Sequence, residues 1–511
     1  MAADHSQMEP IERNLLTGAV MLAVFLQVLD TTIANVALPH MQAALGATQE
    51  SINWVLTSYI VASAIAIPIS GWLADRVGRK ELLIVAVIGF TIASFLCAIA
   101  QSLTEMVLFR IIQGITGAFL VPLSQATLFD INPPERHARA MALFGGGIMI
   151  GPIMGPLIGG WLTDTFDWRW VFLVNLPVGA LAIFMLWRFL PDLPLNKRRF
   201  DLFGFALIAV ALGSLQLMLD RGQQLDWFES AEVMIEAGLA LGAFWMFVVH
   251  VMTAKEPLFE RRMFADRNLS TGLLFMAVLG VLLNAGLSLL PPLLQSLYGY
   301  SVLQSGALTM PRGVGTLITM VGASRLAKHV DIRILIATGM GLMAYSLHMM
   351  TQFSLDQGRE PVIASGLVQG LGLGMLFATI PVVAFGTLAP RFRTAGSSVL
   401  NLSRNIGGSA GISVVSALLA RNMQVSHADL AQHFTDQRLP SSMAAVMGQI
   451  GLSAQTAMAA LNGEITRQAS FIAFLDDFYF MMWVTLAAIP LVLLLRPSKV
   501  AQGGEPAMAM D

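Results

Sequence analysis

Long apolar runs constrain this chain more than any other feature of its sequence. Between short polar breaks, stretches of about 20 mostly uncharged residues return fourteen times. They fall at about 14–38, 52–72, 82–101, 104–124, 140–162 and 171–190, then at 202–219 and 231–252, then at 270–292, 304–325, 334–352, 361–386, 395–418 and 473–495. Each is long enough to cross a bilayer as a helix. None shows the period-two alternation of an outer-membrane barrel strand. Only 12% of residues are charged, about half the share of a soluble domain, which excludes a soluble enzyme and a disordered scaffold. The net charge of −2 leaves no basic field for nucleic acid. The single cysteine, Cys97, excludes a disulfide framework and a cysteine-based metal site. Asp30 lies inside the first run, whose flanks lack a cleavage pattern, so that run is expected to be a retained span. The sequence predicts an all-α, multi-pass membrane protein.

Loop charge fixes the expected direction. With the N-terminus inside, 21 of the 30 Lys and Arg residues fall on the cytoplasmic side, six outside and three (Arg110, Arg312, Arg404) within spans. That bias is what the positive-inside rule demands, and an even span count then puts both termini in the cytoplasm.

The halves echo one another. Leu73-Ala74-Asp75-Arg76-Val77 is repeated as Leu326-Ala327-Lys328-His329-Val330, and Gln113-Gly114 as Gln369-Gly370. Gly151 and Gly155 recur as Gly407 and Gly411, and Leu29-Asp30 aligns with Leu283-Asn284, all at offsets near half the chain. One echo is chance-level in an apolar sequence, but four in register are not. The expected organisation is an N-terminal six-helix bundle over 1–200, an inserted two-helix hairpin over 201–268 and a C-terminal six-helix bundle over 269–511, with a periplasmic loop at about 420–472.

Two parallel six-helix halves around a midplane ligand site form the major-facilitator arrangement, and several motifs resemble that family's. Gly71-Trp72-Leu73-Ala74-Asp75-Arg76-Val77-Gly78-Arg79-Lys80 matches its loop signature between spans two and three. Span four carries Arg110-x-x-Gln113-Gly114, and span five carries Gly151-Pro152-x-x-Gly155-Pro156, which resembles the antiporter motif. Leu29-Asp30-Thr31-Thr32-Ile33-Ala34-Asn35-Val36-Ala37-Leu38-Pro39 is similar to the first-helix motif of the fourteen-helix drug:proton antiporters, the EmrB/QacA group, and nearer to its EmrB branch. This resemblance implies the major-facilitator fold with 6 + 2 + 6 helices and export driven by the proton motive force without a bound cofactor. It also implies a bacterial inner-membrane location, with a periplasmic membrane-fusion adaptor and an outer-membrane channel as partners.

A carboxylate buried mid-span is a functional group by default, so Asp30 is the expected proton carrier; the bland alternative is an interfacial packing residue. Helical rise puts Arg110 roughly 9 Å and Asp30 roughly 12 Å from the outer surface. Arg110 is therefore expected to tune Asp30, or else to snorkel toward the headgroups. Gln113, Asn35, Asn284, Arg312, Asn401 and Arg404 are expected to line the substrate cavity. One carboxylate against three arginines then favours hydrophobic, neutral or weakly acidic substrates over dications. Gly71, Asp75, Arg76, Gly78 and Arg79 are expected to gate the inner face, with Asp75 meeting a positive helix N-terminus of the other half; a solvated charged turn that only enforces topology fits the arginines but not the two glycines, Gly71 and Gly78. Gly151, Pro152, Gly155 and Pro156 are expected to form a smooth, bent face against the other half, or merely to pack helices. His348 could titrate near neutrality, but packing at the interface is the simpler role. No HExxH or Walker sequence occurs, and Gly145-Gly146-Gly147 follows no strand, so neither a metallohydrolase nor an ATP-driven pump is indicated. The rival within the transporter class is a proton symporter or an exporter of one small metabolite.

Overall fold

The computed structural model describes residues 10–48, 51–133, 136–191, 199–327, 329–432 and 454–496. In chain order the helices are α1 (Pro10–Leu45), α2 (Trp54–Ala66), α3 (Ser70–Val77), α4 (Arg79–Ile99), α5 (Leu103–Gly117), α6 (Leu120–Ile131), α7 (His137–Thr165), α8 (Trp170–Leu173) and α9 (Asn175–Phe189). Then come α10 (Leu202–Arg221), α11 (Ala231–Thr253), α12 (Arg261–Phe264), α13 (Arg267–Pro292), α14 (Val302–Leu326), α15 (Ile332–Thr351), α16 (Glu360–Gly386), α17 (Arg393–Ala431) and α18 (Ala454–Ala488). Among the described residues, eleven helical segments are long and apolar enough to cross a membrane. Three further long helices, α7, α14 and α17, alternate with them along the chain, and the fourteen-span count is compatible with this arrangement.

Local chemistry sets the helix ends. Ser102 caps α5 through a bond from the Glu105 amide, and Asp201 caps α10 through the Gly204 amide. Ser301 and Gln304 form a reciprocal capping box on α14. Gly78, between α3 and α4, sits at φ 109°, a backbone region that a side chain resists.

Glycines set the packing, and they do so twice. A Cβ on Gly155 would stand 2.2 Å from Thr32 Oγ1, and one on Gly151 would stand 2.4 Å from Val28, so α7 lies directly on α1. In the second half Gly407 presses on the Ala277 carbonyl and Gly411 on Val281, which seats α17 on α13 in the same way. Gly114 meets the Tyr59 carbonyl, and its echo Gly370 meets the Arg312 carbonyl. The repeat is therefore a repeat of contacts. It also corrects an expectation: Gly151 and Gly155 face α1 of their own half. The surface of α7 that meets the other half lies a turn earlier, where Gly145 receives Met320 and Phe377 and Gly146 receives Leu317. α7 runs unbroken through Pro152 and Pro156, whose side chains lie outside those described.

The inserted pair α10 and α11 pack on each other, and α10 docks on α2 and touches α17. Thr57 donates to Asp220 across the α2–α10 contact. On the chain leading into the hairpin, the Asp201 carboxylate also holds His250 at 2.8 Å and the Leu258 amide at 2.9 Å.

The segment read as a loop at about 420–472 is helical at both ends, since α17 reaches Ala431 and α18 begins at Ala454; residues 433–453 lie outside the described ones. At 1.5 Å per residue the 39 residues of α17 span roughly 58 Å, well beyond a hydrocarbon core of about 30 Å. His427 and Asn462 meet at 3.1 Å and tie the two extensions together.

Candidate functional site

Asp30 on α1 lies at the centre of a sealed polar knot. Its Oδ2 accepts from Arg110 Nη1 at 2.7 Å, and its Oδ1 accepts from Gln113 Nε2 and Asn175 Nδ2, each at 2.8 Å. Arg110 also donates to the Val55 carbonyl at 3.0 Å and to Gln113 Oε1 at 2.6 Å. Gln113 and Asn175 both donate to Ser94 Oγ, at 2.8 and 3.2 Å. The two charged side chains are 0% and 1% exposed. A pair this deep survives only because hydrogen bonds satisfy its remaining donors and lone pairs. The sequence reading brought Asp30, Arg110 and Gln113 together, but it missed Asn175 and Ser94. Asn175 had a signal, as an amide within the sixth apolar run; Ser94 had none.

Tyr59 links this knot to open space. Its ring stacks on the Arg110 guanidinium at 4.4 Å, and the same residue lines a cavity of about 280 Å³ between the halves. That wall takes Gln27, Thr31, Thr32 and Tyr59 from the first half, Asn284, Asn401 and Arg404 from the second, and Gln216 from the inserted hairpin. Among the described lining residues, Arg404 carries the only formal charge.

Three expected cavity residues lie elsewhere: Gln113 is sealed in the knot around Asp30, and Asn35 and Arg312 are also off the wall. Asn35 is exposed one turn beyond Thr31, whose carbonyl it bonds at 3.4 Å. Arg312 is buried behind the wall, where it donates to the Leu283 carbonyl at 3.4 Å and faces Gly286. Arg312 occupies the second-half counterpart of Tyr59, since each presents its carbonyl to the repeated glycine. The count of mid-span carboxylates also changes. Asp477 in α18 is fully buried, and neither of its oxygens has a hydrogen-bond partner among the described residues. Sequence reading began that span at 473, near its mouth; the helix begins at Ala454, which places Asp477 inside it. His348 is exposed on α15.

At one end of the bundle the halves are latched. Asp130, at the end of α6, pairs with Arg79 of its own half and with Arg393 of the other, the latter at 2.9 Å. Arg79 also donates to Thr394 at 2.7 Å. Ser70 meets Ser398 at 2.5 Å, and Gln125 Oε1 accepts from Ser397 at 2.7 Å and Asn401 at 2.8 Å. Gly71 brings α3 against Ala395, where a Cβ would stand 3.1 Å from its Cα. Asp75 is half-buried one turn further along α3, and Arg76 is exposed beside Trp72. Among the described residues an ion pair that crosses the seam centres on Asp130, a residue the sequence reading did not single out; it reaches the first turn of α17 through Arg393, and Arg79 reaches the same turn through Thr394.

Comparison with known proteins adds an independent line. The model of the Major Facilitator Superfamily matches residues 20–412. The chain is 33% identical over 506 residues to the multidrug export protein EmrB of Escherichia coli K12, covering 98% of this chain and 99% of that one. It is 34% identical to the fatty acid resistance protein FarB of Neisseria gonorrhoeae, covering 94% and 96%. Among solved structures, the human organic anion transporter MFSD10 superposes with a TM-score of 0.60 at 15% identity, covering 94% of this chain and 100% of that one. The proton:xylose symporter XylE does so with a TM-score of 0.60 at 14% identity, covering 94% and 97%; at such identities these two likenesses concern the fold alone.

Proposed function

Because the chain belongs to the major facilitator superfamily, a family of transporters, we propose that it exports hydrophobic, neutral or weakly acidic small molecules across the bacterial inner membrane in exchange for protons. The observation that carries this reading is the contact between cavity and ion pair: Tyr59 lines the first and covers the second. A substrate pressing on Tyr59 perturbs Arg110, and a proton reaching Asp30 releases Arg110 from its carboxylate, so the two occupants compete through one side chain. Arg404, alone in charge on the wall, favours a neutral molecule or a weak acid and disfavours a dication, since like-charge contacts away from water cost several kcal/mol. The names of the two relatives, multidrug export and fatty acid resistance, accord with such a range. The proton motive force drives the cycle, and no bound cofactor enters it. Both termini are cytoplasmic in this reading, and the extended outer ends of α17 and α18 are the dock for a periplasmic adaptor that leads to an outer-membrane channel. The test is substrate-induced proton movement in energised everted vesicles, over a panel of acidic, neutral and dicationic compounds. Antiport releases protons from the lumen on substrate addition; proton movement in the opposite sense identifies a symporter.

A further inference from the structure

A second cavity lies on the flank of the bundle, away from the site described above. It measures about 1180 Å³ and is bounded by α1, α7 and α14, larger than the roughly 300–1,000 Å³ typical of drug-sized pockets. Its walls are apolar, with Met21, Phe25, Leu143, Ile150, Leu317 and Met320 among them, and half-exposed Leu143 and Ile150 show that it opens sideways. At one end stand three exposed arginines, Arg136 and Arg139 at the start of α7 and Arg325 at the end of α14. None of the three pairs with a carboxylate among the described residues, and no described lining residue is acidic. From Arg139 to Ile150 the groove follows α7 for eleven residues, roughly 16 Å at 1.5 Å per residue, which matches the hydrocarbon depth of one leaflet.

We propose that this groove binds an anionic phospholipid of the cytoplasmic leaflet, with its phosphate among Arg136, Arg139 and Arg325 and an acyl chain along α7 between α1 and α14. The depth match selects a membrane lipid over a soluble anion, and the unpaired guanidiniums select an anionic headgroup over a zwitterionic one, as in basic clefts between helices at the cytoplasmic surface. Arg136 and Arg139 belong to the first half and Arg325 to the second, at the end where Asp130 latches the halves. A lipid that bridges them is held only while that end is shut, so it favours the inner-closed conformation. Binding itself stands apart from the transport reading; its dependence on conformation rests on that reading.

The test uses the purified full-length protein in phosphatidylcholine nanodiscs with and without phosphatidylglycerol. Native mass spectrometry counts retained lipid, and labelling of a cysteine introduced at Ser398, buried against Ser70 at the latched end, in a Cys97→Ser background, reports opening. Each basic residue near an anionic surface contributes about fivefold to binding, so Arg136→Gln/Arg139→Gln/Arg325→Gln should weaken phosphatidylglycerol retention on the order of 100-fold. The charge-matched Arg188→Gln/Arg261→Gln/Arg262→Gln variant, outside the groove, should retain it. Leu143→Trp keeps every charge, fills the groove and should also lose the lipid, which separates occupancy from misfolding. Phosphatidylglycerol should lower labelling at the inner mouth in the wild type and not in the triple groove variant. Equal retention of phosphatidylcholine and phosphatidylglycerol, unchanged retention in both groove variants, or preferential retention of oleate over phosphatidylglycerol would each overturn the assignment. Loss of labelling protection with lipid still bound would overturn the conformational part alone.

Discussion

Replacing Asp30 with asparagine removes the charge on which three donors converge. Arg110 Nη1, Gln113 Nε2 and Asn175 Nδ2 all reach its two oxygens within 2.8 Å, and the side chain is 0% exposed. An asparagine offers one acceptor oxygen and one amide group, so at least one of those donors meets an N–H and loses its acceptor. Arg110 keeps its charge, with the Val55 carbonyl, Gln113 Oε1 and the Tyr59 ring left to hold it. Breaking a buried pair from one side costs about 3–5 kcal/mol, and Arg110→Gln, which strands the carboxylate, costs about as much. In the double variant Asp30→Asn/Arg110→Gln both charges are gone and the remaining groups can hydrogen-bond, which leaves a loss of about 1–2 kcal/mol. The double-mutant cycle thus returns a coupling energy of several kcal/mol. Stability is read from unfolding of the purified protein in detergent, and coupling from proteoliposomes with and without an imposed pH gradient. The double variant should be nearly as stable as the wild type and should exchange substrate downhill, yet it should not accumulate it uphill; Asp30→Glu should keep part of the coupling. Single variants as stable as the wild type would refute the buried-pair argument, and uphill transport by the double variant would remove Asp30 from proton coupling.

Other expectations follow from the same contacts. Asp130→Asn strands Arg79 and Arg393 at the latch, weakens the closed inner end by about 1–3 kcal/mol, and should raise thiol labelling at Ser398→Cys, a position buried at that seam; unchanged labelling would make the latch decorative. Gly407→Ala drives a methyl to 2.1 Å from the Ala277 carbonyl and should destabilise the protein by about 1–3 kcal/mol, whereas Gly242→Ala, with open space around it, should be neutral or stabilising in the same unfolding assay. Arg404→Gln should weaken export of an acidic compound more than that of a neutral one, while Arg312→Gln, behind the wall, should change stability and leave selectivity alone; the reverse pattern in vesicle transport would move the cavity. Asp477→Asn should cost little stability, because neither carboxylate oxygen has a partner to lose among the described residues, and a loss above about 3 kcal/mol, as for a broken buried pair, would show that Asp477 is held as a charged, paired group.

The class of the molecule is legible in its apolar runs, because apolar length is a local property. A bilayer admits a backbone only as helix or closed barrel, so runs of 20 apolar residues fix the helices wherever they occur. The Asp30–Arg110 pairing was likewise legible: two charges at similar depth in lipid have few alternatives to one another. The internal repeat fixed which glycines matter, since Gly151 and Gly407, or Gly114 and Gly370, are written into the chain at one offset. What each glycine faces was decided only by the packed structure. Helical periodicity gives a face but not its neighbour, and α7 turned Gly151 and Gly155 toward α1 while giving Gly145 and Gly146 to the other half. The same limit hid Asn175, Ser94 and Tyr59, which come from three helices far apart in sequence and become one polar knot only when the bundle closes around Asp30. It also separated Arg404 from Arg312: both are arginines in apolar helices, and only the rotation of α14 and α17 within the second half put one on the cavity wall and the other behind it. Charge type and depth are carried by single residues, whereas the partner of a buried charge is a property of the bundle.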